Sequence, residues 1–298
     1  MKLCKPLFEI WEQSAGLEGV YKQIERAGRV CYKSEDKITE DSAKPFVDRM
    51  IKSGHGAMLE HGTVYLKITY KDTNFTTLCM FYGKNKYSVL NHSEDNKIYY
   101  ITTNYRVLVE NNHLSDLKYL CEPSEFHEKR ITVHFVCDRG VSHEFVRHRV
   151  MSFAQESTRY CNYSKDKFGN ELTFIKPCWL GIPTGQYVYW DGDWCDINKM
   201  KIQLPEGEHK GIDAFLWTLN NAETHYTLLI NSGWKPQEAR TILPNSLKTE
   251  LVVTGFTSDW NHFFDLRARG TTGAPHPQAK ELAEPLMKEF IARKYIDN

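Results

Sequence analysis

ITVHFVCD, Ile131 to Asp138, swaps apolar and polar residues at period two and is rich in β-branched and aromatic side chains, so it reads as a strand with one face in a core. TVYLKITY, Thr63 to Tyr70, follows the same pattern. Between them lies a polar insertion, NKYSVLNHSEDNKIYYITTNYR, which itself ends in a strand-like run. After about residue 205 the rhythm becomes helical: Ile212, Phe215, Leu216, Leu219, Ala222, Tyr226, Leu229 and Ile230 fall at i, i+3, i+4 spacing, closed by Gly233. Pro236 suits the first turn of a next helix, PQEARTIL. A third helix is expected through SDWNHFFDLRA with Ser258 or Asp259 as cap, and a last one from about Pro277 to Tyr295, kinked by Pro285. The fold class these patterns predict is α+β, a mainly antiparallel sheet packed with helices and a helical C-terminal half.

The chain has 298 residues, 41% hydrophobic and 13% aromatic, which suits a well-cored globular protein. No repeat, low-complexity segment or Pro/Gly/Ser-rich linker divides it, so one domain over 1–298 is expected, with insertions at about 71–128 and 165–211. Lys+Arg and Asp+Glu both total 38, so no global field draws the chain to nucleic acid or an anionic membrane, and any anion recognition is local. No stretch reaches the ~18 apolar residues of a membrane span. Pro6, Glu9 and Glu12 interrupt the apolar run a signal peptide needs, so a cytoplasmic location is expected. The 8 cysteines are scattered without a C-x-x-C pair, and no metal site is expected. GQYVYWDGDWCD, Gly185 to Asp196, has the aromatic and acidic character of a surface lobe or subunit contact.

EFVRHRVMSFAQESTRY, Glu144 to Tyr160, gathers Arg147, His148, Arg149 and Arg159 around Ser152, Gln155 and Ser157. Cations crowded together repel one another, so an anionic group is expected among them. Ser142 is expected to cap a short helix running into RHR, on which Arg147 and Arg149 would point about 200° apart and serve two anionic groups. A solvated basic helix end, favoured by the helix dipole, is an equal reading of those three residues alone. QESTRY adds an amide, a carboxylate, hydroxyls and a guanidinium within one loop, the mixture that grips a phosphate while hydrogen-bonding a sugar or base.

R-H-R, seven residues and Ser, continued by x-R-Y, resembles the signature of the flavin-dependent thymidylate synthases, the thymidylate synthase complementing proteins. Three further stretches agree in order: SGHGAMLEH (Ser53 to His61), EARTILP (Glu238 to Pro244) and FFDLRA (Phe263 to Ala268). The resemblance implies that family's fold, a homotetramer with active sites shared between subunits, and conversion of dUMP to dTMP. Methylenetetrahydrofolate would be the carbon donor, FAD the hydride carrier and NADPH the reductant of the flavin. Arg267 is implied as the catalytic residue, a fixed cation that makes the pyrimidine electron-rich at C5. Glu144, Arg147, Gln155, Glu156, Ser157, Thr158, Arg159 and Arg240 are implied along dUMP. His55, Arg147, His148, Arg149, Val150 and Gln155 are implied on FAD. By resemblance Ser157 binds nucleotide rather than forming a triad with His148, since no carboxylate orients the imidazole. Cys161 is read as an inert thiol.

The chain departs from the family at several positions. Phe256, Thr257 and Ser258 stand where the family carries N-x-R, and His262 where it has another Asn. Asn104 and Arg106 repeat the N-x-R spacing and are the candidate replacement on FAD, opposed by their reading as a strand-end pair in a surface hairpin. His276 is the candidate for a histidine that lies nearer the activating arginine in shorter relatives. Two other readings stay open: a flavin or nucleotide oxidoreductase without methylation, and a nucleic-acid-binding module. Zero net charge and the lack of a basic stripe weigh against the second, so no nucleic acid and no membrane are expected as partners.

Overall fold

The computed structural model describes residues 1–73, 75–93, 97–205 and 209–297, so parts of both insertions, at 74, 94–96 and 206–208, lie outside the described residues. In chain order the strands are β1 (Lys2–Cys4), β2 (Leu7–Trp11), β3 (Thr63–Thr69), β4 (Val89–Ser93), β5 (Ile98–Asn104), β6 (Arg130–Asp138), β7 (Ser152–Gln155), β8 (Thr173–Ile175), β9 (Gly185–Gln186), β10 (Val188–Trp190), β11 (Asp193–Cys195) and β12 (Lys248–Phe256). The α-helices are α1 (Gly16–Tyr32), α2 (Ala43–Lys52), α3 (Gly56–Leu59), α4 (Phe75–Leu78), α5 (Tyr105–Glu110), α6 (Arg139–Phe145), α7 (His209–Asn231), α8 (Pro236–Ala239), α9 (Thr257–Phe264) and α10 (Pro277–Ala292).

The alternation in ITVHFVCD does what period two requires. Ile131, Val133, Phe135 and Cys137 of β6 share one face with Leu251 and Val253 of β12, and pack against Phe145, Trp260, Phe263, Phe264 and Phe290 from α6, α9 and α10. Each such ring, fully buried, contributes about 1.5–3 kcal/mol. The opposite face meets α1, where Trp11, Ala154 and Val252 cluster with Ala27 and Val30. β6 and β12 pair antiparallel from Asp138 opposite Lys248 to Arg130 opposite Phe256, with β2 outside β6 and β7 outside β12. A second antiparallel sheet, β3–β5–β4, packs on α1 and α2. Only in the small β8–β1–β9 sheet is there a parallel pair among the described strands, β1 with β8. GQYVYWDGDWCD forms the β10–β11 hairpin, whose Trp194 and Tyr189 pack on Trp217 of α7.

The mixed architecture is as expected, with four local differences. The helical C-terminal half contains β12, because Leu251, Val252 and Val253 are all buried in a strand covered on both faces, and a continuous apolar run carries no period-two mark. α6 starts three residues before Ser142: the Asp138 carboxylate accepts from the Val141 N–H at 2.8 Å and is the cap, while the Ser142 hydroxyl donates to the Arg139 carbonyl. α9 begins at Thr257, and Asp259 serves it by accepting from the Phe256 N–H at 3.1 Å. PQEARTIL splits into α8 and a 3₁₀ turn over Arg240–Ile242. α7 ends as read, with Gly233 at φ +93° where glycine is least strained. No helix among the described residues is long and apolar enough to cross a membrane.

Candidate active site

α6 stops at Phe145, so the RHR residues lie in the turns that follow it and not on the helix, and the expected 200° separation does not apply. Aromatic packing fixes the turn. The Phe145 ring meets Phe263 of α9 at 4.9 Å, and His148 packs on the same ring at 5.0 Å and near His262 at 5.7 Å. His148 is therefore buried, while Arg147, Arg149 and Val150 face solvent. Neither Arg147 nor Arg149 makes an ion pair with a described residue.

Arg267 enters this site from a π-helical turn, Asp265–Arg269, that continues α9. Widening the helix by a residue per turn is a local strain that recurs at functional sites, and here it aims the guanidinium at the end of α6. One Nη donates to the Glu144 carboxylate, the other to the Glu144 carbonyl at 2.9 Å, and Nε donates to His148 Nε2 at 3.3 Å. Burial lowers the Arg267 pKa and Glu144 counters it, so the group stays cationic. Burial, then the Arg267 and His262 charges, brings His148 down to about 4, which leaves a neutral imidazole accepting at Nε2 and protonated at Nδ1. Arg147, His148, Arg149, Val150, Met151, Asp259, His262, Leu266 and Arg267 line a cavity of about 280 Å³.

The second half of the motif lies at the other end of β7. The Gln155 amide donates to the Ser142 hydroxyl at 2.8 Å and to the Thr249 hydroxyl at 3.3 Å, which ties it to α6 and β12. Glu156, implied along dUMP, turns inward and does not present its carboxylate to a ligand: Tyr163 donates to one oxygen at 2.8 Å and Lys248 to the other at 3.0 Å, and the side chain is fully buried. The Ser157 N–H donates to the Cys31 carbonyl at 3.0 Å, and Thr158 accepts from Arg240 at 3.3 Å. Arg159 and Tyr160 are exposed, with the Tyr160 ring 5.2 Å from Tyr32. The candidate cations thus form two groups within one chain, Arg147, Arg149 and Arg267 before β7 and Arg159 and Arg240 after it. Cys161 is fully buried, and burial followed by the Glu156 charge pushes its thiol up to about 12, so no thiolate forms near neutral pH.

Of Asn104 and Arg106, Arg106 meets the SGHGAMLEH stretch, whereas Asn104 is buried at the end of β5. Asn104 caps α5 by accepting from the Val107 N–H, and Arg106 donates to Glu60 at 2.6 Å and Glu110 at 2.7 Å. Gly56 permits the approach, since a Cβ there would sit 2.9 Å from Arg106 Nε. His55 is exposed beside them, its ring 3.2 Å from the Ser53 hydroxyl. His276 is not brought to the cavity. It precedes α10, with Trp179 at 6.0 Å, near the Asp138 end of α6, whereas Arg267 is at the opposite end.

Several residues that organise the site were not singled out from sequence. Buried Arg130 donates to the Glu60 carbonyl at 3.0 Å and to the Ser152 hydroxyl at 3.3 Å, joining α3 to the start of β7; burial lowers its pKa to about 10. His61, with a ring nitrogen 2.8 Å from the Thr254 hydroxyl, is held by burial down to about 3. Half-buried Lys248, Glu250 and Lys33, with His134 against Glu250, form a polar chain behind Glu156. The available signal was the polar member of each alternating strand pair, Thr132 and His134 or Lys248 and Glu250, on a face that α1 covers.

Fold and site together define an α+β protein with an arginine- and histidine-lined cleft at the end of a short helix. The sequence model of the thymidylate synthase complementing protein family matches residues 71–293, and the chain belongs to that family. A flavin-dependent thymidylate synthase of Pyrococcus furiosus is 30% identical over 160 residues, covering 54% of this chain and 53% of that protein. One of Corynebacterium aurimucosum is 23% identical over 281 residues, covering 93% of this chain and 78% of that protein. The chain spans about half the length of the Pyrococcus furiosus relative and of a similar Thermococcus onnurineus one, 53% and 43%. A crystal structure of the UMP/dUMP methylase PolB from Streptomyces cacaoi bound with 5-Br dUMP is 17% identical, with a TM-score of 0.44, covering 98% of this chain and 93% of that one.

Proposed function

We propose that this chain is a flavin-dependent thymidylate synthase, converting dUMP to dTMP with methylenetetrahydrofolate as carbon donor and NADPH-reduced FAD as hydride source. The observation that carries the reading is Arg267 held at the α6 end between Glu144 and neutral His148, beside Arg147 and Arg149, which have no ion-pair partner among the described residues.

The residues fit a flavin. Two guanidinium groups without carboxylate partners among the described residues suit a diphosphate, while Val150, Met151, Leu266 and uncharged His148 suit the face of a planar ring. When bound, the flavin supplies the hydride. What the chain itself does is orient and polarise. Arg267 stays charged at neutral pH, so it acts as a fixed cation beside the pyrimidine carbonyl and stabilises the electron-rich ring at C5. His148, accepting from Nε, sets the plane of the guanidinium. Ser157, Thr158, Arg159 and Arg240 hold the nucleotide, with the phosphate on the arginines, and Arg106 and His55 extend the cofactor site, with buried Asn104 capping α5 behind them.

The two groups of cations at opposite ends of β7 favour a shared site, in which the Arg147 end of one protomer is completed by the Arg159 end of another. A shared site needs at least two copies of the chain, and the reading takes these to be single-domain chains in a homotetramer of the cytoplasm. The test is dTMP formation from dUMP, methylenetetrahydrofolate and NADPH, with and without FAD. Product is expected only with FAD, from a protein that is yellow or becomes so. A colourless preparation that ignores FAD overturns the proposal, and flavin binding without dTMP selects an oxidoreductase lacking methylation.

A further inference from the structure

We infer that Lys248 is a positioning residue for the nucleotide loop 156–160, acting through the buried carboxylate of Glu156; the inference rests on the function proposed above. Glu156 is the only carboxylate in the loop, and its side chain has 0% exposure. Its backbone N–H donates to the Glu250 carbonyl at 2.8 Å, one position before Ser157 donates to Cys31. The loop therefore leaves β7 with its first side chain pointing into the protein, Ser157 half-buried, Thr158 buried against Arg240, and Arg159 and Tyr160 exposed.

A buried carboxylate at that turn is stable only if its charge is answered. Lys248 answers it at 3.0 Å while also contacting Glu250 at 2.6 Å. Glu250 in turn meets Lys33 at 2.8 Å and His134 at 2.9 Å, so two ammonium groups face two carboxylates across β12 and the end of α1. Lys33 sits at φ +46° just past α1, which turns its side chain into the chain of charges. Without Lys248 the Glu250 charge keeps Lys33, but Glu156 keeps only the Tyr163 hydroxyl. Its lowest-energy response is to swing toward water, and that movement carries Ser157, Thr158 and Arg159 with it.

The test compares Lys248→Met with Lys248→Met/Glu156→Gln in the full chain, reading dUMP affinity, KM for dUMP, kcat and FAD binding. The single variant is expected to raise KM for dUMP at least about tenfold, with kcat changed less and FAD affinity unchanged. The double variant, which removes the stranded charge but leaves an oxygen for Tyr163, is expected to return KM to within about threefold of the parent. Unchanged KM in the single variant overturns the inference. Equal impairment in both also overturns it, since Lys248 would then act on the ligand directly. Should the single variant fail to fold, the double variant decides by the same criterion. Failure of the parent chain to bind dUMP at all would instead remove the proposed function.

Discussion

Replacing Glu144 by Gln removes the carboxylate that occupies Arg267 in the ligand-free chain. Three hydrogen bonds hold the guanidinium, and the substitution weakens one: the bonds to the Glu144 carbonyl and to His148 do not involve the carboxylate. A charge-assisted hydrogen bond contributes about 1.5–3 kcal/mol. Side-chain exposures of 15% for Arg267 and 28% for Glu144 bring this toward about 1 kcal/mol through solvent screening. The variant should therefore lose roughly 2 °C in Tm. Its effect on the substrate has the opposite sign. Arg267 can face the pyrimidine only after releasing Glu144, so a neutral amide that competes less well should tighten dUMP binding by about fivefold, at 1.4 kcal/mol per tenfold. Calorimetric titration with dUMP, alongside a thermal melt, reads both quantities. A variant that binds dUMP more weakly than the parent would show that Glu144 is a ligand contact and not a competitor.

Arg267→Ala should keep FAD yet lower dTMP formation by about 10²–10³, as expected for one well-aimed charge; near-normal turnover in the same assay would strip it of that role. Cys161→Ser should retain most activity, because the buried thiol is held up to about 12 and does not ionise at working pH; a dead but folded variant would return it to the chemistry. His61 predicts a pH effect on stability. Its pKa is about 3 in the folded chain against roughly 6.5 unfolded, so the unfolded chain binds the proton first. Its contribution is thus complete above about 6.5 and falls as pH drops toward 3, by about 1.4 kcal/mol per unit. Urea unfolding at pH 7 and pH 5 should show a loss about 2 kcal/mol smaller in His61→Gln than in the parent, and equal losses would refute the assignment.

What the sequence by itself determined is what short-range periodicity and motif order encode. Alternation in ITVHFVCD set the inward face of β6, and the i, i+3, i+4 rhythm set α7 with its glycine stop, because both depend on neighbours a few positions apart. The motif residues Arg147, Arg159, Arg240 and Arg267 were legible for the same reason. Their grouping was not. Arg267 faces Glu144 only because a π turn after α9 meets the end of α6, 123 positions earlier in the chain. The α6 cap moved from Ser142 to Asp138 because the Arg139 N–H donates to the Asn245 and Leu247 carbonyls, contacts that exist only once β12 is in place. Glu156, which looks in sequence like part of a polar binding loop, turns inward because Lys248 waits on the next strand. These are long-range pairings of charge and backbone polarity, and tertiary structure decides them because a buried polar group takes whichever partner the packed elements bring within reach.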